Sequence, residues 1–178
     1  MRQTEGGIHL TARNQHIRMC IAKSLIELLG YKSLEDITIT LLAKTAHVSR
    51  MTFYKYYVCK QDVLSDYMYE LMSEYMEEAK KQTDIGHFRE EKHICHCFKF
   101  FSKYSLEIET LVKANLYSVI INAVNDYMDT YILPNSSYSC YELYYYGGAI
   151  CNTYIKWLEA GMAESPEEIA KIVYRYLE

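Results

Sequence analysis

Residues that break helices are scarce in this sequence, and their scarcity is the strongest constraint on its fold. The 178 residues include only two prolines and seven glycines, whereas an all-β fold needs many tight turns built from such residues. Apolar residues recur at helical spacing, as at Ile17, Ile21 and Leu25. The sequence therefore predicts an all-α fold of about nine helices, over residues 11–29, 38–46, 49–56, 60–81, 88–103, 105–114, 116–133, 139–160 and 165–177.

Helix ends are marked by residues with capping preferences. Ser49 is a plausible N-cap for the third helix. Ser165, Pro166 and Glu168 combine a capping serine, a proline in the first turn and a glutamate that can complete a capping box. These signals predict helix starts at both places.

Charge is distributed unevenly along the chain. Residues 1–60 carry 9 basic and 4 acidic residues, a net +5, whereas residues 61–178 carry 10 and 19, a net −9, which together give −4. The overall charge argues against non-specific nucleic-acid binding. A basic first third on an acidic body suggests an anionic partner for the first third, although a solvated charged face would look the same.

The six cysteines and the hydropathy pattern point to a cytoplasmic protein. The first residues lack the apolar segment that is typical of a signal peptide. Reduced thiols are therefore expected rather than disulfides. No uncharged stretch reaches the roughly 18 residues that a membrane span needs, so no membrane partner is expected. Tyrosine supplies 19 of the 25 aromatic residues, which suits a semi-polar cavity or a wet interface but also a tyrosine-biased genome.

Residues 38–57 contain the most informative pattern in the chain. Two helices of about seven or eight residues meet there at a tight turn, and such short helices need a third element to hold them. The helix at residues 11–29 offers an apolar stripe for that purpose. This is the plan of a helix-turn-helix, whose second helix enters the major groove of DNA. The expected internal contacts are Leu42, Ala43, Ala46, Val48 and Phe53.

The second helix of this pattern is rich in hydrogen-bond donors and has no acidic residue. Its candidate DNA-binding residues are Ser49, Arg50, Thr52, Tyr54, Lys55 and Tyr56. Thr38 and Thr40, at the start of the preceding helix, and Lys60, at the start of the following one, can contact phosphates. Arg50, Thr52 and Lys55 are expected to read base edges, and Thr38, Tyr54, Tyr56 and Lys60 mainly to hold phosphates.

The order of these residues resembles the TetR family of bacterial transcription regulators. The resemblance runs from about residue 11 to 66 and is strongest from Thr38 through Ala46-His47-Val48-Ser49-Arg50 to Lys60. It implies a three-helix DNA-binding domain at residues 1–58, a helical ligand-binding and dimerisation domain at residues 59–178, and a homodimer. The implied partners are a double-stranded DNA operator and an unknown small-molecule effector. The implied function is a repressor that leaves a pseudo-palindromic operator when the effector binds.

Three positions depart from the family pattern. His47 stands where the family usually has glycine in the turn, and histidine tolerates a positive φ better than β-branched residues do. Met51 often corresponds to glycine, and its side chain can touch a thymine methyl group. Cys59 replaces a commoner capping serine, which predicts a weaker start for the helix at residue 60. These departures leave open the alternative of a helical small-molecule-binding protein that has lost DNA binding.

The last two helices carry broad apolar faces that could form a four-helix dimer interface, with packing inside the monomer as the alternative. The candidate interface residues are Leu143, Gly147, Ile150, Cys151, Tyr154, Leu158, Ile169, Ile172, Val173 and Tyr176. Because the helix at residues 60–81 joins the two predicted domains, it is the expected lever between ligand and DNA.

A tyrosine-rich pocket is the expected ligand site, although each residue could equally be plain core or surface. The candidate lining residues are Tyr104, Asn115, Tyr117, Tyr141, Tyr144 and Tyr145. No cofactor is expected. His93, His96 and Cys97 share helix faces only in pairs, too few for a closed zinc site, so no metal is expected and a metal- or redox-responsive regulator is a lesser alternative. No catalytic motif occurs, so an enzyme is not expected.

Overall fold

The computed structural model describes residues 12–176, and the helices in this part of the chain confirm the predicted all-α fold. No strand occurs among the described residues. The helices are α1 (Ala12–Leu29), α2 (Ile39–Thr45), α3 (Arg50–Tyr56), α4 (Lys60–Lys80), α5 (Glu91–Ser102), α6 (Ser105–Lys113), α7 (Tyr117–Tyr127), α8 (Cys140–Glu159) and α9 (Pro166–Tyr174). None of them, within the described range, is long and apolar enough to cross a membrane.

Two predicted helices are shorter than their apolar patterns suggested. The fifth was expected from residue 88 but begins at Glu91. Gly86 has a left-handed φ of 77°, which helical backbone does not adopt, and Phe88 lies in the loop that follows it, with its side chain buried. The seventh was expected to continue to residue 133. Instead, α7 gives way at Met128 to the π-helical turn Met128–Ile132 and then to a short 3₁₀ turn containing Pro134.

The described residues divide into two compact units, one ending at Leu64 and the other beginning at Ser65, so the division falls within α4. In the first unit, α2 packs against both α1 and α3. This packing gives the short helices α2 and α3 a shared core with the longer α1, as their length requires. Its most buried side chains are Ile21, Leu25, Leu28, Ile37, Leu42, Phe53, Val63 and Leu64.

The second unit is a helical bundle in which α5 packs on α9, α7 packs on α8, and α6 contacts both α7 and α8. Its most buried side chains include Tyr67, Met68, Ile94, Phe98, Phe100, Leu111 and Leu143. The starts of α8 and α9 are fixed by complete capping boxes, Ser139 with Glu142 and Ser165 with Glu168. The second box confirms the start that the sequence predicted at Ser165.

Candidate functional site

The turn between α2 and α3 is closed by a left-handed residue. His47 has a φ of 54°, and it follows the C-cap Ala46. The amide of His47 donates to the carbonyl of Lys44, and the amide of Val48 donates to the carbonyl of Ala43 at 2.9 Å. This is the hydrogen-bond pattern of a Schellman motif, in which glycine usually occupies the position of His47. The turn therefore keeps its geometry without glycine.

Helix α3 is held in a fixed orientation by one buried side chain and two hydrogen bonds. Phe53 is 0% exposed and anchors the inner face of the helix. Ser49 accepts a hydrogen bond from the amide of Thr52 at 3.0 Å, which confirms the predicted N-cap. On α1, Asn14 accepts a hydrogen bond from the hydroxyl of Tyr56 at 2.8 Å.

The opposite face of α3 is open to solvent. Arg50 and Lys55 are exposed, and Met51 and Tyr54 are exposed large side chains, with Met51 at 84%. The hydroxyl of Thr52 lies 2.8 Å from that of Ser49 and is less accessible. Residues 37–61 include Lys44, Arg50, Lys55 and Lys60 but no acidic residue. This exposed, positively charged face, Arg50, Met51, Tyr54 and Lys55, is called the α3 outer face below.

Two of the three flanking residues predicted to contact phosphate, Thr38 and Lys60, already have partners within the first unit. Thr38 caps α2 by accepting from the amide of Leu41 at 3.1 Å. The ammonium of Lys60 donates to the carbonyl of Leu34 and, at 2.7 Å, to that of Ile37. Two of its three donors are therefore used inside the unit. Thr40 is exposed.

The start of α4 is capped by a residue that sequence reasoning missed. One carboxylate oxygen of Asp62 accepts from the amides of Val58 at 3.0 Å and Cys59 at 2.9 Å. These bonds hold the pKa of Asp62 below its ordinary value. This carboxylate supplies the second half of a capping box at the start of α4, and the weakening effect of cysteine in place of serine stays a prediction.

Replacing Asp62 with alanine is expected to lower the free energy of unfolding by about 1 kcal/mol at pH 7. Since the folded-state pKa is depressed, the contribution is present above the unfolded pKa near 3.8 and is lost as the pH falls through the folded value. Urea unfolding of both proteins at pH 7 and at about pH 3 measures this. An equal difference at both pH values would contradict the role of the carboxylate.

The second unit contains a partly open cavity of about 80 Å³. Helix α4 contributes Met68, Met72 and Tyr75 to its wall, and the remaining walls come from α5, α6, α7, α8 and the loop before α5. None of the described residues that line it is Lys, Arg, Asp or Glu. The other lining residues are Phe88, His93, Cys97, Phe101, Ile108, Ile120, Val124, Tyr127, Met128, Tyr146, Gly147, Ile150, Cys151 and Tyr154.

Most polar groups in the cavity wall are already engaged. The hydroxyl of Tyr146 donates to the carbonyl of Phe88, and that of Tyr154 donates to the carbonyl of Phe101 at 2.9 Å. Burial raises the pKa of the Cys97 thiol to about 12, so this cysteine is a neutral thiol at neutral pH. The cavity is therefore apolar in character, with polar groups that serve the wall itself.

His93 differs from the other polar groups of the wall. Its Nδ1 lies 3.2 Å from the carbonyl oxygen of Gly86. Because a carbonyl only accepts hydrogen bonds, Nδ1 carries the proton. Burial lowers the pKa of His93, so the ring is neutral at neutral pH and Nε2 keeps its lone pair.

The six residues predicted to line a ligand pocket are not among those that line this cavity. Tyr141 and Tyr145 lie on the exposed face of α8, and Tyr144 donates to Asp129. Tyr104 donates to Glu74, and Tyr117 is partly exposed at the start of α7. Asn115 is exposed and has a φ of 59°. It ends α6 in the same way as His47 ends α2, which is a structural reason for asparagine at this position.

The histidine and cysteine cluster of α5 is divided among separate partners. His96 Nδ1 lies 2.9 Å from the side-chain amide of Gln82, His93 bonds to Gly86, and Cys97 has a hydrogen bond with Tyr75. No group of three or more side chains suited to a metal ion occurs among residues 12–176.

The apolar face of α8 that was predicted to form the dimer interface is covered within the chain itself. Leu143, Cys151, Tyr154 and Leu158 are buried, and Gly147 packs against α7, where an added Cβ would lie 3.0 Å from Val124 Cγ1. On α9, Ile169 and Val173 are also buried, whereas Ile172 and Tyr176 are exposed. Most residues of this face, including the partly buried Ile150, therefore pack inside the monomer, which was the alternative to a dimer interface.

A different stripe of α8 faces solvent. Tyr141 and Tyr145 are 81% and 74% exposed, and Asn152 continues the same stripe. Gly148 lies between Tyr145 and Asn152, and a Cβ added there would meet no atom within 4 Å. Tyr145 borders one surface groove together with the exposed Tyr176. These residues, Tyr141, Tyr145, Gly148, Asn152 and Tyr176, are called the outer stripe.

A family model for the C-terminal region of TetR transcriptional regulators matches residues 85–178. The chain belongs to the TetR family of transcriptional regulators. The match covers helices α5 to α9, where the sequence from Gly147 to Ala170 also resembles the family, less specifically than the first 66 residues do. No curated protein matches this TetR-family chain in sequence.

Solved structures share the fold of this TetR-family chain at low sequence identity. Lin0861 from Listeria innocua superposes with a TM-score of 0.80 at 16% identity, over 98% of this chain and 97% of the other. A TetR transcriptional regulator from Rhodococcus sp. RHA1 has a TM-score of 0.60 at 12% identity, over 93% and 95%. FadR from Bacillus subtilis, solved in complex with stearoyl-CoA, has a TM-score of 0.56 at 18% identity, over 89% and 96%.

Proposed function

We propose that the protein is a sequence-specific DNA-binding regulator whose helix α3 enters the major groove. The observation that carries this proposal is the α3 outer face. It presents Arg50, Met51, Tyr54 and Lys55 to solvent, while Phe53 fixes the inner face. As the second helix of a helix-turn-helix, a rigid helix with an exposed cationic face is suited to direct contact with base edges.

The exposed side chains suggest separate roles on the DNA. Arg50 and Lys55 can donate to guanine O6 and N7, and the exposed thioether of Met51 can contact a thymine methyl group. The hydroxyl of Thr52 shares a hydrogen bond with that of Ser49 and keeps a lone pair that can accept from a base amino group. Tyr54 has the reach to bond a phosphate from the edge of this face.

Fewer side-chain donors are available for phosphate contacts than the sequence pattern suggested. Tyr56 donates to Asn14, so its hydroxyl can only accept from another donor and acts by holding α3 rather than by donating to phosphate. Lys60 retains one free donor after its two carbonyl contacts. Thr38, Thr40 and Ser49 supply helix N-terminal amides and hydroxyls for phosphate at the two ends of the turn.

We further propose a homodimer that forms through the outer stripe. Glycine inside a helix costs about 1 kcal/mol relative to alanine, and nothing within the chain occupies the space beside Gly148. A partner helix crossing at Gly148 would explain that residue. The exposed tyrosines on the preceding turns of the same stripe, Tyr141 and Tyr145, are typical of interface anchors, because each combines a large apolar ring with a polar tip.

Binding of a ligand in the second unit is proposed to release the operator. Met68, Met72 and Tyr75 line the cavity, and they belong to α4, the helix whose first turn lies next to α3 in sequence. A ligand that favours one position of α4 can thereby favour one spacing of the two recognition helices in the dimer. This arrangement corresponds to a repressor that is induced by the ligand.

Selection of duplexes from a random DNA pool tests this function. The purified protein is incubated with the pool at about physiological salt, and the retained duplexes are sequenced. A two-fold symmetric motif is expected, because a symmetric dimer binds two related half-sites. No enriched motif from a folded protein would contradict the DNA-binding role.

Arg50→Ala is expected to weaken binding to the selected duplex by about 1–3 kcal/mol and to relax the base preference at one position of each half-site. The charge-matched control is Lys44→Ala, which removes an exposed cation from α2, outside the α3 outer face. Repeating the selection with both variants measures the effect. Unchanged base preference in the Arg50 variant would overturn its role in base recognition.

A further inference from the structure

The cavity of the second unit has a chemical character that restricts its ligand. Its wall contains no charged side chain, and a buried ion without a partner is strongly disfavoured. The thiol of Cys97 is neutral because of its raised pKa. An anionic or cationic group would therefore have no partner in this cavity, and the ligand that fits is uncharged.

The size of the cavity sets an upper bound on what enters without rearrangement. Its volume is about 80 Å³, whereas the engineered apolar cavity that binds benzene has about 150 Å³. A single ring therefore enters only with a small displacement of flexible wall side chains such as Met68 and Met72. A long acyl chain would need a much larger rearrangement.

The walls favour an aromatic ligand over an aliphatic one of the same size. Tyr75 lies in ring contact with Phe101 at 5.5 Å between centroids and with Tyr127 at 6.2 Å. Phe88 and Tyr146 form a T-shaped pair at 5.0 Å. All five rings line the cavity, so an inserted ring can meet edges and faces at the distances that aromatic pairs prefer.

His93 offers a ligand a polar contact in this wall. The hydroxyls of Tyr146 and Tyr154 donate to wall carbonyls, whereas His93 uses Nδ1 on Gly86 and has a lone pair on Nε2. We infer that this cavity binds a small uncharged phenol, whose hydroxyl donates to Nε2 of His93. The inference deepens the proposed regulatory function by naming the class of its effector, and it rests on that function for its biological meaning.

Calorimetric titration of the full-length protein with three probes tests the inference. The probes are phenol, toluene, which lacks the hydroxyl, and benzoate, which is charged at neutral pH. Phenol is expected to bind about tenfold more tightly than toluene, the effect of one hydrogen bond, and benzoate is expected not to bind measurably. Equal affinities for phenol and toluene, or tighter binding of benzoate, would overturn the inference.

Variants of His93 separate recognition from folding. His93→Leu is expected to reduce phenol affinity about tenfold and to leave toluene affinity unchanged, which also shows that the cavity is intact. His93→Gln, which retains an acceptor, is expected to restore part of the preference for phenol. His87→Leu is the matched control, because His87 is exposed and does not line the cavity. An unchanged phenol preference in His93→Leu would overturn the role of Nε2.

Failure of the effector class and failure of the regulatory function give different results. Absence of heat with phenol, from a protein that selects a symmetric duplex, overturns only the effector. Phenol binding by a protein that selects no duplex overturns the DNA-binding role and leaves the phenol site standing. Phenol binding that leaves affinity for a selected duplex unchanged overturns its role as an effector.

Discussion

Gly148→Leu is expected to convert the proposed dimer to a monomer without unfolding the chain. A leucine side chain at this position enters open space in the single chain, because an added Cβ meets nothing within 4 Å. Leucine also improves helix propensity, by somewhat less than the about 0.8–1.0 kcal/mol that separates glycine from alanine. The same side chain would block a partner helix that crosses α8 at Gly148. Operator affinity should then fall by about 10²–10⁴, because the two half-sites are no longer bound together.

Sedimentation equilibrium of wild type and variant measures the mass directly, and a duplex-binding titration measures the affinity. Gly147→Ala is the matched control on the neighbouring residue. Its added methyl group meets Val124 within the chain, so it should alter stability and leave the oligomeric state unchanged. A dimeric Gly148→Leu protein would assign the interface to a surface other than the outer stripe.

Phe53→Ala is expected to lower the free energy of unfolding of the first unit by about 3–5 kcal/mol. Phe53 is the fully buried anchor of α3 and has ring contacts with Tyr54 at 5.4 Å and Tyr57 at 5.8 Å. Small domains have a stability of only about 5–15 kcal/mol. The loss should therefore abolish duplex binding, since α3 no longer keeps its orientation.

The neighbouring residue provides the control for this variant. Tyr54 is 54% exposed, so Tyr54→Ala removes a proposed DNA contact and leaves the core intact. Calorimetric unfolding and amide hydrogen exchange should show destabilisation of residues 12–64 in Phe53→Ala alone. Retained protection of α3 in Phe53→Ala would contradict its anchoring role.

The order and approximate extent of the helices could be predicted because they depend on local signals. Ser49 and Ser165 cap helices where the sequence indicated them, and the fully buried Leu25 and Ile21 lie on the predicted stripe of α1. The turn at His47 was also predictable, because its neighbours match a known motif. Each of these features is determined by residues close together in sequence.

Faces of the second unit could not be assigned in the same way. Helical periodicity shows that Leu143 and Tyr154 share an apolar face, but it does not distinguish a neighbouring helix of the same chain from a helix of a partner. The same limit applies to tyrosine. Tyr146 and Tyr154 line the cavity, whereas Tyr141 and Tyr145 are exposed. The difference comes from tertiary contacts, of Tyr146 with Phe88 and of Tyr154 with α5.

The helix start at Cys59, in contrast, carries a local signal that a search for the N-cap residue alone does not detect. A search for serine or threonine at the N-cap finds none there, yet Asp62 was visible three residues later as the acidic member of a capping box. Looking for both members of the box, and not for the first alone, would have identified the cap.

The only tryptophan of the chain gives the protein an intrinsic optical label for one of its two units. Trp157 is buried on α8, lies 5.4 Å from the ring of Phe98, and donates from Nε1 to the carbonyl of Glu164 in the connection to α9. Its fluorescence therefore reports the surroundings of α5, α8 and α9. Excitation selective for tryptophan follows the second unit alone, while circular dichroism records helices of both units. Comparing the two signals distinguishes separate from concerted unfolding without any added dye.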